Sequence, residues 1–314
     1  MSAIFDLHCD TLTRNCYPPY EGAENTLNNP AFQLALSKVP AGTRWVQCFA
    51  IFIPDKLRGQ DAIDFFNRYA ASFRRQAEEN SALLTACRSA QDLDAALAAG
   101  KAAGILTVEG GAVLTGRLEQ VQAIFDAGVR MMTLTWNGPN ELASGHDTQN
   151  GFSSFGREAV AEMERRGVLV DVSHLNDRGF EELLGFARKP FVASHSNART
   201  VCGHLRNLPD AYISEMVRRG GLIGLNYCDA FIDNDCCGSL DNLYRHICHF
   251  LELGAEKCLA LGSDYDGAGM HEDLDSVEKS LNIHGYLTGH GIAQETADDI
   301  CFNNAWRFFQ KWMG

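Results

Sequence analysis

The sequence contains no apolar run that approaches the ~20 residues a membrane-spanning helix needs. Its first residues, Met1-Ser2-Ala3, lead into an apolar strand-like segment, without the basic and apolar regions of an export signal. Basic residues are also few, because 27 Lys and Arg against 40 Asp and Glu leave a net charge of −13. Such a charge disfavours nucleic acid or an anionic membrane as a partner. We therefore expect a cytoplasmic protein that binds neither.

Two further sequence patterns are missing. The cysteines number 11, are irregularly spaced and include the adjacent pair Cys236-Cys237, which is not a Cys-x-x-Cys motif, so reduced thiols are expected. No strand-like segment is followed by Gly-x-Gly-x-x-Gly, which disfavours a doubly wound open sheet, the alternative α/β fold.

Apolar segments of strand length alternate with amphipathic helical segments along the 314 residues, without a linker or low-complexity break. The predicted strands span residues 4–7, 46–53, 102–108, 129–136, 168–172, 190–193, 222–225 and 258–261. Helices are predicted at 61–79, 118–127, 157–166, 177–187, 240–253 and 293–312, and a polar loop containing Asn25 follows the first strand. Eight strands with helices between them predict an α/β fold, a single (β/α)8 TIM barrel domain over residues 1–314.

Residues able to bind a metal recur where predicted strands end. They are His8 and Asp10 after the first strand, Glu109 after the third, His174 after the fifth, His195 after the sixth and Asp264 after the eighth. Each alone has an ordinary explanation, such as a turn residue, a helix cap or a packed histidine. In a barrel, however, the carboxyl ends of the strands converge on one face, where active sites lie. The six together predict a metal site, whereas His246 and His249, on an amphipathic predicted helix, are interpreted as packing residues.

The number of candidate ligands exceeds what one catalytic zinc ion uses, namely three protein ligands and a water. Two Zn²⁺ ions that share a bridging carboxylate would use the whole set. We expect His8 and Asp10 on the first ion, His174 and His195 on the second, and Glu109 across both.

Asp264 remains outside this ligand set. Two ions ~3.5–4 Å apart can hold a shared hydroxide as a nucleophile, with a pKa lowered towards 7. Asp264 would take a proton from the attacking water and pass it to the leaving amine.

Six motifs, in this order, resemble those of the renal (membrane) dipeptidase family of zinc metallopeptidases. They are Asp-Leu-His-Cys-Asp-Thr, Val-Glu-Gly-Gly, Asp-Val-Ser-His, Ser-His-Ser-Asn-Ala, Arg-Asn-Leu-Pro-Asp and Gly-Ser-Asp-Tyr-Asp-Gly, between about residues 4 and 266. The resemblance implies a barrel of the amidohydrolase type with a binuclear zinc site that hydrolyses dipeptides, including some with a C-terminal D-residue. It implies the ligand and proton-transfer roles given above, and it makes a homodimer plausible.

The resemblance also bears on substrate binding. It implies that Arg206 holds the free carboxylate of the substrate, for which a planar guanidinium is suited. One position departs from the family, because Trp136 stands where the renal enzymes have a histidine that contacts the substrate. Asn137 or His146 is a candidate to supply the lost contact. Our hypothesis is that Trp136 changes substrate preference without abolishing hydrolysis.

Three functions are compatible with these residues. The first is a binuclear zinc dipeptidase, and the second is another metal-dependent amidohydrolase, such as an N-acyl amino acid deacylase or a lactam hydrolase. The third is a barrel that binds metal or peptide without turnover, which the complete set of ligands and the proton carrier disfavours. We expect the first, with a small dipeptide as the substrate.

Overall fold

The computed structural model describes residues 2–22 and 27–314, so Met1 and Asn25 lie outside the described residues. The strands within these ranges are β1 Ala3–Cys9, β2 Arg44–Phe52, β3 Leu84–Cys87, β4 Ala102–Glu109, β5 Val129–Thr133, β6 Leu169–Asp171, β7 Val192–Ala193, β8 Leu222–Leu225 and β9 Leu259–Leu261. Eight of them form a closed parallel ring in the order β1, β2, β4, β5, β6, β7, β8 and β9. The predicted TIM barrel is confirmed.

The ring closes through the pairing of β2 with β4, in register from Val46 opposite Ala103 to Phe52 opposite Glu109. The short β3 is not one of the eight and was not predicted. It pairs with the first half of β4, from Leu84 opposite Ala102, whereas β5 pairs with the second half of β4.

The α-helices of the described residues are α1 Gly59–Glu79, α2 Ala90–Ala98, α3 Glu119–Ala127, α4 Ser154–Arg166, α5 Asp177–Phe186, α6 Asp210–Arg219, α7 Asp229–Ile232, α8 Leu240–Glu252, α9 Val277–Gly289, α10 Gln294–Asp298 and α11 Asn304–Met313. The predicted helices all occur, but α2, α6, α7 and α9 were not predicted. For α2 the sequence does contain a signal, since Ser89 and Asp92 form a capping box.

Several predicted ends differ from the observed ones by one to three residues; for example, α4 begins at Ser154 and not at residue 157. The fourth predicted strand extended to Trp136, whereas β5 ends at Thr133. The carbonyl of Leu134 accepts hydrogen bonds from Gly111 N at 3.2 Å and from Asn140 Nδ2 at 2.8 Å, not from a neighbouring strand. The last predicted helix, 293–312, is interrupted by a π-helical turn, Asp299–Asn303, between α10 and α11.

The C-terminal helix closes the end of the barrel where the strands begin. Phe5 of β1 contacts Phe302 and Phe309, with ring centroids 6.2 and 5.0 Å apart, and all three rings are buried. This packing leaves the opposite end of the barrel, where the strands finish, for polar residues. No helix within the described ranges is both long and apolar enough to cross a membrane.

Candidate metal centre

The carboxyl end of the barrel brings the six sequence-predicted residues together. His8 lies on β1 and Glu109 ends β4, while the other four lie in the turns that directly follow strands: Asp10, His174, His195 and Asp264. All six are buried, with between 0 and 9% of each residue exposed. Strand order therefore gathers residues that are as much as 256 positions apart in the chain.

Glu109 lies between two sets of candidate ligands. Its Oε1 is 2.8 Å from Nε2 of His174 and 3.5 Å from Nε2 of His195. Its Oε2 is 3.8 Å from Nε2 of His8. Each carboxylate oxygen thus faces a different histidine set, as a bridging ligand would.

The His8 side of the site is rich in carboxylates. His8 Nε2 is 3.5 Å from Asp10 Oδ2 and 3.9 Å from Asp264 Oδ1. Ligand atoms of His8, Asp10 and Asp264 all lie within 4.8 Å of one another, as do those of His8, Glu109 and His195. Asp264 is therefore near enough to reach the same ion as Asp10.

Hydrogen bonds orient the ring of His195. Its Nδ1 is 2.7 Å from Ser194 Oγ, which is in turn 2.6 Å from Asp171 Oδ2. A carboxylate only accepts hydrogen bonds, so the single Ser194 hydroxyl proton goes to Asp171 and the hydroxyl oxygen accepts from Nδ1–H of His195. The lone pair of this imidazole is thereby placed on Nε2.

His174 is oriented in the same way. Its Nδ1 lies 2.8 Å from Oδ1 of Asn137, an acceptor, so its lone pair is also on Nε2. The two Nε2 atoms are 3.0 Å apart, and both point at Glu109. With Glu109 ionised, the two lone pairs and its carboxylate oxygen have no proton to share, and a cation satisfies all three.

Burial and charge shift the protonation equilibria in this cluster. Burial lowers the pKa of His174 and of His195 well below the usual value, which keeps both imidazoles neutral. Burial raises the pKa of Glu109 well above its usual value and that of Asp264 to about 6. At His8, burial disfavours the charged form, but Glu109 and Asp10 outweigh it and raise the pKa to about 10. The cluster thus carries more negative charge than its buried position tolerates without a cation.

Two buried atoms point to where a cation fits. His8 Nε2 and Asp10 Oδ1 have no hydrogen-bond partner among the residues that the structure describes. A side chain at Gly267 would also occupy this space, since a Cβ there would lie 2.0 Å from Asp10 Oδ2. Imidazole nitrogens with carboxylate oxygens form a ligand set typical of Zn²⁺, so the residues present fit the expected metal.

Arg206 is buried beside the histidines. Its Nη1 donates to Ser196 Oγ at 2.8 Å and its Nη2 to the carbonyl of His195 at 2.9 Å. Its Nε has no hydrogen-bond partner within the described ranges. Its guanidinium lies 5.8 Å from the ring centroid of Phe231, which lines the cleft.

A cleft of 650 Å³ opens above the metal-binding residues, and Trp136 and Asn137 line it. Asn137 also accepts the hydrogen bond from His174 described above, a role that was not predicted from the sequence. His146 lies farther out, with its ring 6.0 Å from that of His174. Burial lowers the pKa of His146 to about 4, so it is neutral near pH 7.

Two aspartates that support the site were missed. Asp171 accepts from Ser194 N at 2.8 Å, Ser173 N at 3.0 Å and Thr133 Oγ1 at 2.5 Å, in addition to Ser194 Oγ. Asp6 accepts from the backbone N–H and the hydroxyl of Ser263, at 2.8 and 2.5 Å. The signal available was position, because each aspartate precedes a ligand histidine by two or three residues.

His246 lies outside the metal centre. Its Nδ1 accepts from Ala198 N at 3.1 Å and its Nε2 donates to the carbonyl of Ile232 at 2.8 Å. It therefore joins α8 to the loop after β7 and to the end of α7.

Comparisons with known proteins agree with this architecture. The family model for membrane dipeptidase (peptidase family M19) matches residues 1–312. An uncharacterized protein from the pqqA 5′ region of Klebsiella pneumoniae is 28% identical over 256 residues, which are 78% of this chain and 94% of that protein.

Two solved structures are similar over the whole chain. One is a metallo peptidase from Rhodobacter sphaeroides, liganded with a phosphinate mimic of the dipeptide L-Ala-D-Ala (TM-score 0.92, 24% identity, 100% of this chain and 99% of that chain). The other is described as dipeptidase AC, a metallo peptidase (TM-score 0.89, 24% identity, 100% and 99%). At these identities the likeness establishes the fold.

Proposed function

The chain belongs to the membrane dipeptidase family, peptidase family M19, and from this premise we propose that it is a dipeptidase with two Zn²⁺ ions at the carboxyl end of its barrel. Its substrate would be a small dipeptide, whose amide bond is hydrolysed. The observation that supports two ions best is the position of Glu109, with one oxygen towards His8 and the other towards His174 and His195.

We assign His8 and Asp10 to one ion, His174 and His195 to the other, and Glu109 to both. Bound there, zinc would supply Lewis acidity towards the scissile carbonyl and lower the pKa of a water towards 7. Ser194 and Asn137 keep the lone pairs of His195 and His174 directed at the ions.

Asp264 is suited to carry a proton between the attacking water and the leaving amine. Its Oδ2 accepts from Asn226 Nδ2 at 3.1 Å, whereas its Oδ1 faces the metal-binding cluster. This leaves Oδ1 available to take and return a proton.

Arg206 is assigned to the substrate's carboxylate. Its positive charge is held within the cluster by hydrogen bonds to Ser196 and His195, and its Nε donor has no partner among the described residues. Because the R. sphaeroides structure holds a mimic of L-Ala-D-Ala, we also propose that a D-residue is accepted at the carboxyl-terminal position.

Metal analysis combined with hydrolysis assays tests this proposal. We expect about two zinc ions per chain, loss of dipeptide hydrolysis after treatment with a chelator, and recovery with Zn²⁺. Glu109→Gln should retain at most one ion, because an amide is a poor bridging ligand. Metal-free protein as active as the zinc-loaded form would contradict the proposal, and turnover of N-acyl amino acids or lactams instead of dipeptides would favour the alternative amidohydrolase.

A further inference from the structure

Three aromatic rings form one wall of the cleft, which we call the ring wall: Tyr17, Phe52 and Trp136. The ring centroids of Phe52 and Trp136 are 4.8 Å apart, and those of Tyr17 and Phe52 are 6.0 Å apart. The three come from the segment after β1, the end of β2 and the loop after β5, and all of them line the cleft. The wall is therefore assembled by the fold rather than by one stretch of sequence.

The ring wall is packed from behind but open towards the cleft. Phe52 is 9% exposed, whereas Tyr17 and Trp136 are half-buried. Phe52 and Trp136 meet edge to face at 65°, an arrangement favoured between aromatic rings. Half-buried rings in a concave site offer apolar area that a ligand can cover.

Phe52 of the ring wall lies across the barrel from Arg206, and Trp136, which follows β5, contacts the Phe52 ring and extends the wall from there. Arg206 is bonded to His195 and Ser196, which follow β7, while Phe52 ends β2. In the closed ring, three strands lie between β2 and β7 in either direction, so these two strands stand opposite each other. His195, a candidate ligand, is bonded to Arg206, and the other candidate ligands that line the cleft with the ring wall are Asp10, Glu109 and His174.

This step rests on the proposed function, in which Arg206 attracts the free carboxylate of a dipeptide and the scissile amide lies over the metal ligands. These two contacts fix the direction in which the dipeptide lies in the cleft. The residue on the far side of the amide, the amino-terminal one, then lies against the ring wall. We propose that this subsite selects dipeptides whose amino-terminal residue has a large apolar or aromatic side chain, with Trp136 as a specificity-determining residue.

The test compares kcat/KM for Ala-Ala, Phe-Ala and Ala-Phe with the zinc-loaded enzyme, each with an L- and a D-residue at the carboxyl-terminal position. Phe-Ala should exceed Ala-Ala by about tenfold or more, because burial of a phenyl ring on the wall is worth at least that factor. Ala-Phe should show no comparable gain. A wild-type enzyme without the Phe-Ala preference, or with the preference on Ala-Phe, would overturn the inference.

Variants locate the preference on the wall. Trp136→Ala should reduce the Phe-Ala to Ala-Ala ratio about fivefold or more, and Trp136→Phe should largely keep it. The ratio within one variant cancels any effect on the metal centre. Tyr17→Ala provides a second removal of a ring, from a more exposed segment. Phe231→Ala, on the Arg206 side, is the matched control and should leave the ratio unchanged.

The outcomes separate this inference from the proposed function. Hydrolysis of all three dipeptides at similar rates, or a ratio that survives Trp136→Ala and Tyr17→Ala, overturns the subsite alone. No hydrolysis of any dipeptide by protein with bound zinc overturns the proposed function, and the subsite with it.

Discussion

Replacing Asp171 by Asn should invert the tautomer of His195, a residue that Asp171 does not touch. Asp171 Oδ1 accepts from two backbone donors, Ser173 N and Ser194 N. Backbone N–H groups cannot become acceptors, so the amide oxygen of an Asn must occupy the Oδ1 position and its NH₂ the Oδ2 position.

The consequence passes through Ser194. In the wild-type chain its hydroxyl donates to Asp171 Oδ2 and accepts from His195 Nδ1–H. Beside an NH₂ group the hydroxyl oxygen becomes an acceptor, and its own proton turns towards His195 Nδ1 at 2.7 Å, which is a nearer acceptor than Ser173 Oγ at 3.4 Å. The imidazole is then stabilised with its proton on Nε2, the atom that the metal site needs as a lone pair.

The magnitude follows from that one hydrogen bond. To bind metal, His195 in the variant must adopt the disfavoured tautomer, and the Ser194 hydroxyl proton is left with the long contact to Ser173 Oγ at 3.4 Å, at a cost of ~1–3 kcal/mol. This corresponds to roughly tenfold to hundredfold weaker metal binding, the range seen when groups that orient metal ligands are removed. Ser194→Ala removes the partner without imposing the wrong tautomer, so its effect should be smaller.

The assay is zinc affinity, by competition with a chromophoric chelator, together with ¹⁵N shifts of the histidine rings in metal-free protein. Asp6→Asn is the matched control. Asp6 binds the backbone and hydroxyl of Ser263 as Asp171 binds those of Ser194, but Ser263 Oγ contacts the carbonyl of His8 and not its ring. Asp6→Asn should lower the stability of the fold and leave zinc affinity within about threefold. Wild-type affinity in Asp171→Asn, or an equal loss in Asp6→Asn, would refute the tautomer argument.

Two further predictions concern Arg206 and His246. Arg206→Ala should raise KM at least tenfold for a dipeptide but much less for the corresponding dipeptide amide, because only the former has a carboxylate for the guanidinium; equal changes in KM would contradict the assignment. Burial lowers the pKa of His246 from 6.5 to about 4, so the unfolded chain binds a proton in that window that the native chain does not, and native stability falls as the pH drops from 6.5 to 4. The wild type should have a higher free energy of unfolding than His246→Gln, and this difference should shrink by up to ~3 kcal/mol as the pH falls across the window. Chemical denaturation at several pH values measures it. A difference that stays constant with pH would contradict the prediction.

The order of the barrel strands was predictable because each is an apolar run, and five of them end at a candidate site residue. Such runs predict strands whatever their partners, and parallel strands joined by helices have few ways to close. The short β3 was not predicted although three of its four residues are apolar, because a run of four residues with no candidate site residue after it is a weak signal. For α6 the sequence did contain a signal, since Tyr212, Ile213 and Met216 have helical spacing directly after Pro209.

The candidate ligands were predictable as residue types at strand ends, but their supporting residues were not. Asp171 and Ser194 are 23 positions apart and meet only because β6 and β7 are neighbours in the ring. Likewise Asn137 reaches His174 across 37 positions. Sequence placed Asn137 near the substrate because it follows Trp136, and the contact with His174 depends on how the loop after β5 turns.

Strand periodicity alone does not determine the direction in which the candidate ligand side chains point. Alternation of faces accounts for His8 and Asp10, but His174 and Asp264 lie three residues beyond the last residue of β6 and of β9. Both have left-handed backbone angles, with φ of 69° and 64°. A residue with a Cβ pays roughly 1–2 kcal/mol for that conformation, and glycine would avoid the cost. In this conformation the imidazole of His174 contacts Glu109 and the carboxylate of Asp264 faces His8, so both point into the metal-binding cluster. The chemistry at this end of the barrel therefore depends on two strained turns as much as on the eight strands, and residue type alone does not reveal them, since His and Asp are ordinary in either conformation.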